Sequence, residues 1–201
     1  MPERYPSVLL FGPPGSGKGT LGAVIGSVIG FSHMASGDIF RSLDKESELG
    51  RLFLSYSTKG ELVPDDVTIR LWKDYVDRRI EAGAYDPARE ILLLDGIPRN
   101  AAQVELMQSH IDVKRVIHLV GDEAELVRRL SKRAHEQDRP DDAKEDVIKR
   151  RLEVYRDETR PMLDCYDASF VADVDAIGLP SEVLQRALGP IVEVQRAFAA
   201  S

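Results

Sequence analysis

A chain of 201 residues is long enough to enclose one sizeable hydrophobic core, so a single compact domain is expected. Apolar residues make up 43% and charged residues 30% of the sequence, and no apolar run approaches the ~18 residues of a membrane-spanning helix, so no membrane span is expected. The formal net charge of −7 argues against a nucleic-acid polyanion as the main partner.

The amino-terminal residues 1–6 lead straight into an apolar run and lack the build of a secretory signal. The chain has one cysteine, Cys165, which cannot form an internal disulfide or a multi-cysteine zinc site. Both features fit a reducing compartment, so we expect a cytoplasmic protein.

Short apolar runs alternate with segments of helical character along the chain. The runs suit strands buried on both faces of a parallel sheet, and they lie at 8–11, 91–94, 113–120 and 169–174. The helical segments lie at 17–29, 64–82, 100–110, 122–134, 143–158 and 181–198. This alternation predicts an α/β fold with a parallel sheet covered by helices on both faces.

Two segments interrupt this alternation. Residues 36–65 contain short helical pieces and no predicted strand, which indicates a small helical insertion. Residues 134–142 are polar and contain Pro140, so they are predicted to form an exposed loop between two helices.

The segment that carries chemistry is GPPGSGKGT, residues 12–20, which follows an apolar strand and precedes an apolar helix. Its glycines let backbone N–H groups wrap around phosphate oxygens, and the following helix directs the positive end of its dipole at the anion. Lys18 adds a cation for the β- and γ-phosphates, and Thr20 offers a hydroxyl near a metal ion. The segment therefore predicts a P-loop that binds nucleotide phosphates.

The glycine between the lysine and the threonine of this loop is typical of adenylate kinases and their UMP/CMP-kinase relatives. Four further segments follow in that family's order, so residues 7–180 resemble the family. They are SGDIFR at 36–41, GELVP at 60–64, DGIPR at 95–99 with Gln103 after it, and a set of arginines between 129 and 151.

The resemblance implies a P-loop three-layer core with a central parallel sheet of about five strands, formed by residues 1–201 as one kinase domain. Within it, residues 36–65 would be the insertion that binds the nucleoside monophosphate, and residues 134–142 would be a short lid. The short lid lacks the cysteine-bearing hairpin of long-lid relatives, so no structural zinc is expected. The resemblance also implies a monomer.

The resemblance further implies the site. Mg²⁺ would be held through water by Thr20 and Asp95, a carboxylate that ends a buried strand. ATP would contact Gly15, Ser16, Gly17, Lys18, Gly19, Thr20, Arg129, Arg133 and Gly178. AMP would contact Ser36, Arg41, Glu61, Leu62, Val63, Gly96, Ile97, Pro98, Arg99, Gln103, Arg139 and Arg151.

Transfer of a phosphoryl group needs alignment and neutralised charge more than covalent chemistry. The residues expected to supply this in the transition state are Lys18, Arg99, Arg133, Arg139 and Arg151. Arg150 competes with Arg151, because the chain carries one extra residue before this helix; the spacing to Leu152 and Tyr155 favours Arg151. Ser36 is also expected to cap the helix that it starts.

The function expected is reversible γ-phosphoryl transfer from Mg-ATP to AMP, giving two ADP. A UMP/CMP kinase is the alternative, because Leu21, Glu61 and Ile97 depart from the commonest adenylate-kinase pattern, although Ser36 and Gln103 favour AMP. A regulatory nucleotide-binding protein without turnover is an alternative from another class, but no N-K-x-D guanine signature occurs. A kinase for a neutral metabolite fits the many phosphate-directed arginines less well.

Overall fold

The computed structural model describes residues 3–137 and 144–200. Its strands are β1 (Tyr5–Phe11), β2 (Phe31–Ala35), β3 (Ile91–Asp95), β4 (Ile111–Val120) and β5 (Val171–Asp175). Its α-helices are α1 (Lys18–Gly26), α2 (Ser36–Arg41), α3 (Glu48–Ser57), α4 (Asp65–Glu81), α5 (Ala101–Met107), α6 (Glu123–Gln137), α7 (Glu145–Val154) and α8 (Pro180–Ala199). A π-helical turn, Tyr155–Thr159, and two 3₁₀ turns, Arg160–Cys165 and Ala168–Phe170, join α7 to β5.

The five strands form one parallel sheet in the order β2-β3-β1-β4-β5. The predicted α/β class and the sheet of about five strands are therefore confirmed. Strand β2 was not predicted, because Ser32 and His33 interrupt its apolar pattern. The predicted helix over 143–158 is also wrong at its end, since α-helical geometry stops at Val154 and the π-helical turn follows.

The sheet is buried on both faces, which explains its continuous apolar runs. In β1, Leu9 and Phe11 belong to a core cluster with side chains of α4 and α5, such as Trp72 and Met107. Val8 and Leu10 point to the opposite face and belong to a second cluster with side chains of α1 and α8. Each large apolar side chain buried in this way contributes about 1.5–3 kcal/mol of hydrophobic stabilisation.

The register of the sheet positions the chemistry. Leu10 of β1 pairs with Asp95, the last residue of β3, so the loop after β1 starts beside this carboxylate. Because all five strands are parallel, the segments that follow them emerge at one edge of the sheet, where ligands of such folds bind.

A close contact holds α1 against β2. Gly22 and Gly26 face His33 of β2, and a Cβ atom added at either glycine would overlap the His33 side chain. Because these two glycines have no side chains, α1, which follows the P-loop, packs directly against β2. The contact therefore links the position of Lys18, at the start of α1, to β2.

We expect Gly22→Ala to lower the free energy of unfolding by about 1–3 kcal/mol, since an overpacked contact outweighs the gain in helix propensity. In a His33→Ala background the same substitution should cost nothing or stabilise by up to ~1 kcal/mol. Urea unfolding of the four proteins in this double-mutant cycle measures the coupling. Additive effects of the two substitutions would contradict the proposed contact.

Candidate functional site

A cleft of about 980 Å³ runs along the carboxyl edge of the sheet. It is lined by the loop after β1, the segments around α2 and α3, the turn after β3, the arginines of α6 and α7, and the loop before α8. Eight lysine or arginine residues and four aspartate or glutamate residues line it, although the whole chain carries a net charge of −7. The cleft is therefore a basic surface in an acidic protein, which suits an anionic ligand.

The loop after β1 has the backbone that a phosphate cradle requires. Gly15 and Gly17 have φ angles of 84° and 90°, in the left-handed region that favours glycine. Gly15 also packs so closely that a Cβ atom would lie 2.6 Å from the carbonyl oxygen of Leu126 in α6. The hydroxyl of Ser16 is buried and has no hydrogen-bond partner among the described residues. An orphaned buried donor in this loop fits a phosphate oxygen as its partner.

Lys18 lies at the start of α1 with its ammonium turned back onto the loop. Its Nζ donates to the carbonyl oxygens of Gly12 at 2.6 Å and Pro13 at 3.1 Å. Burial of the ammonium lowers the pKa of Lys18 from its ordinary 10.5 to about 8; Asp95 opposes this effect, whereas the nearby guanidinium groups of Arg99, Arg151 and Arg133 add to it. A polyanion bound in the cleft would therefore stabilise the charged form of Lys18.

Asp95 is the carboxylate of the site. It is 8% exposed, and its Oδ2 lies 3.8 Å from Nε2 of His33. The carboxylate also lies near Gly19 of α1, because a Cβ atom at Gly19 would be 3.6 Å from Oδ2. Thr20 is the next residue along this helix and also lines the cleft. One carboxylate and one hydroxyl beside a phosphate cradle are the ligands that suit Mg²⁺, which keeps several of its waters.

Arginines of α6 line one side of the cleft. Arg129 is held at both ends, since its Nε donates to Glu125 at 2.9 Å and its Nη1 donates to the carbonyl oxygen of Ala176 at 2.8 Å. Hydrogen bonds from Arg128 and Arg129 lower the pKa of Glu125 to about 2. Arg133 lies one helical turn further along α6 and also lines the cleft.

On the opposite side, the start of α2 meets the turn after β3. Ser36 donates from Oγ to the carbonyl oxygen of Gly96 at 2.6 Å, and this carbonyl also accepts from Nε of Arg99 at 2.7 Å. Arg41 pairs with Asp38 at 2.6 Å. The capping role predicted for Ser36 is wrong, because Ala35 is the N-cap and the Ser36 side chain bonds to Gly96 in the turn after β3.

The two arginine candidates on α7 point in different directions. Arg151 lines the cleft, whereas Arg150 does not and pairs instead with Glu153 at 3.3 Å.

The structure brings nearly all the predicted site residues into this one cleft. Ile97 does not line it, because its side chain is 2% exposed and packs in the core beneath the turn after β3. Arg139 lies outside the described residues, as does most of the predicted lid. The predicted site residues that line the cleft are Gly15, Ser16, Gly17, Lys18, Gly19, Thr20, Ser36, Arg41, Glu61, Leu62, Val63, Asp95, Gly96, Pro98, Arg99, Gln103, Arg129, Arg133, Arg151 and Gly178.

An aromatic pair in the wall of the cleft was not predicted from the sequence. Phe40 and Phe53 stack with ring centroids 5.2 Å apart and join α2 to α3 beside Val63. The signal that could have revealed them is the amphipathic pattern of α3, which leaves one apolar face to cover α2.

No helix in residues 3–137 and 144–200 is long and apolar enough to cross a membrane. In the same ranges, no group of three or more His, Cys, Asp or Glu side chains is arranged to hold a metal ion.

A P-loop that faces a carboxylate on the neighbouring strand, in a cleft lined with arginines, defines a phosphotransferase of the nucleoside monophosphate kinase class. The chain belongs to the adenylate kinase family, whose family model matches residues 10–171. It is 40% identical to the adenylate kinase of Thermobifida fusca over 188 residues, which cover 90% of this chain and 95% of that protein. It is 39% identical to the adenylate kinase of Kocuria rhizophila over 191 residues, or 92% of this chain and 97% of that protein.

The lowered pKa of Lys18 predicts a pH-dependent stability. Between about pH 8 and pH 10.5 the unfolded chain holds a proton on this amine that the folded chain has lost, so folding becomes more favourable as the pH rises. We therefore expect nucleotide-free Lys18→Met to be more stable than the parent at pH 7 by about 1–3 kcal/mol, an advantage that shrinks towards pH 10.5. Urea unfolding at a series of pH values measures it; an advantage independent of pH would contradict the prediction.

Proposed function

We propose that the protein catalyses reversible transfer of the γ-phosphoryl group of Mg-ATP to AMP, giving two ADP. The observation that carries the proposal is one continuous cleft with the P-loop and Lys18 on one side and Ser36, Arg41 and Gln103 on the other. One half suits a nucleoside triphosphate and the other a second, smaller anion with a base.

The residues of the cleft would act through position and charge. Backbone N–H groups of the P-loop and the Lys18 ammonium would bind the β- and γ-phosphates, and Arg99 and Arg151 would bind the acceptor phosphate. The acceptor oxygen is already anionic, so the reaction needs no general base. Mg²⁺, held through water near Thr20 and Asp95, would supply further neutralisation of the phosphates.

We also propose roles for two segments of the chain, the cellular compartment and the oligomeric state. Residues 36–65, with α2 and α3, would form the monophosphate-binding insertion, and residues 134–142 the short lid. The protein would work as a cytoplasmic monomer whose partners are ATP, AMP and ADP, and its net charge of −7 supports small anions in one basic cleft over nucleic acid as ligands.

A comparison of acceptors tests the proposal. With Mg-ATP as donor, we expect kcat/KM for AMP to exceed that for CMP, UMP and GMP by at least about tenfold, since Gln103 and Ser36 favour AMP. Lys18→Ala should lower turnover by about 10²-fold or more and leave the thermal unfolding cooperative. Lys73→Ala is the matched control, because Lys73 is exposed on α4, where it pairs with Asp77. CMP or UMP as the best acceptor would contradict the proposal.

The neighbouring arginines of α7 provide a second test. Arg151→Ala should lower kcat by about 10²-fold or more, because a cation beside the transferred group stabilises the transition state. Arg150→Ala removes the same charge one residue away on the exposed side, and it should leave kcat within about twofold of the parent. Steady-state kinetics of both variants decide; equal losses would show that charge on α7, rather than the position of Arg151, is what matters.

A further inference from the structure

The side-chain amide of Gln103 is held in one orientation. Gln103 is 1% exposed in the wall of the cleft, near the start of α5. Its Oε1 accepts a hydrogen bond from the backbone N–H of Arg99 at 2.8 Å, and its Nε2 donates to Oδ1 of Asp65 at 2.7 Å.

These two partners cannot exchange roles. A backbone N–H only donates, and an ionised carboxylate only accepts. If the amide turned over, its NH₂ group would meet the N–H of Arg99 and its oxygen would meet the carboxylate of Asp65. Both hydrogen bonds would be replaced by repulsive contacts with a buried amide, so the positions of the amide oxygen and nitrogen are determined.

Asp65 is itself held in place. It is the first residue of α4, and its Oδ1 also accepts from Nδ2 of Asn100 at 3.0 Å. Asn100 is the N-cap of α5, where its Oδ1 accepts from the backbone N–H of Gln103 at 2.8 Å. The starts of α4 and α5 are thus joined through one carboxylate oxygen that receives both amide groups.

The amide has one N–H and one oxygen lone pair beyond those that these two hydrogen bonds use. The fixed orientation of the amide sets their order, with the remaining donor on Nε2 and the remaining acceptor on Oε1. The N1 and N6 edge of adenine offers the complementary acceptor and donor. The same edge of a 6-oxopurine, such as hypoxanthine, offers a donor at N1 and an acceptor at O6. Its donor would therefore face the amide donor, and its acceptor would face the amide oxygen.

We propose that Asp65 is a positioning residue that determines base specificity, because it holds the Gln103 amide in the orientation that pairs with adenine and rejects a 6-oxopurine. The inference rests on the proposed function, in which AMP is the phosphoryl acceptor. Asp65 itself would act only through Gln103.

AMP and IMP are the probes, because they differ only in this hydrogen-bonding edge. The parent enzyme should prefer AMP to IMP in kcat/KM by about 10²-fold or more, as a buried polar site rejects a mismatched partner. Asp65→Ala should raise the KM for AMP about tenfold, keep kcat within about threefold, and reduce the AMP-to-IMP ratio at least tenfold. KM should change more than kcat because the base lies away from the reacting atoms. Its contacts stabilise the bound ground state and the transition state equally.

Three matched variants separate orientation from helix stability and charge. Asp65→Asn keeps an oxygen that can accept from both amides, so it should preserve the ratio within about threefold. Asp66→Ala removes the same charge from the same turn of α4 at an exposed position, and it should behave as the parent. In a Gln103→Ala background, Asp65→Ala should change the ratio less than twofold, because no amide is left to orient.

The outcomes distinguish the two proposals. A parent enzyme that uses CMP or UMP better than AMP overturns both the proposed function and this inference. A parent that prefers AMP to IMP, with an Asp65→Ala variant that keeps the ratio or an Asp66→Ala variant that loses it equally, overturns the inference alone. If Asp65→Ala does not fold, Asp65→Ser replaces it, since serine suits a helix start and its hydroxyl can donate as well as accept; the same loss of the ratio is expected, and a preserved ratio overturns the inference.

Discussion

The pairing of β1 with β3 is the constraint on which the rest of the site depends. Parallel register sets Leu10 beside Asp95, so the chain that leaves β1 must turn directly over a buried carboxylate. The turn is possible because glycines accept positive φ angles there, and it delivers Lys18 to the start of α1. A cation, a glycine-rich turn and a carboxylate thus meet at one edge of the sheet.

The cleft gathers positive charge that the fold alone does not neutralise. Asp95 favours the protonated form of Lys18, but burial and three arginines outweigh it and bring the pKa to about 8. Such an arrangement costs stability in the free protein and is reversed by a bound polyanion. Binding of nucleotide phosphates would therefore remove this electrostatic cost, and the free energy recovered would strengthen the binding.

Features that depend on neighbouring residues in the chain could be predicted from the sequence, whereas features that depend on contacts between distant residues could not. The P-loop and the strands β1 and β3 are local patterns, and the α/β class and the family followed from them correctly. β2 was missed because its polar residues have partners in space, with His33 covering the glycines of α1. The same holds for Ser36, whose hydroxyl bonds to Gly96, 60 residues further along the chain. Asp65 reads as an ordinary residue at a helix start, and only tertiary contacts reveal its hydrogen bond to Gln103.

The two hydrogen bonds of the Arg129 side chain affect the entropy cost of binding any ligand that enters the cleft. An arginine on a helix surface ordinarily samples many rotamers, and immobilising it on a ligand costs conformational entropy. Glu125 and the carbonyl of Ala176 already confine this guanidinium before any nucleotide arrives, and Gly96 does the same for Arg99. Much of the conformational entropy of these side chains is thus lost during folding. A nucleotide that enters the cleft would lose less affinity to the ordering of these arginines.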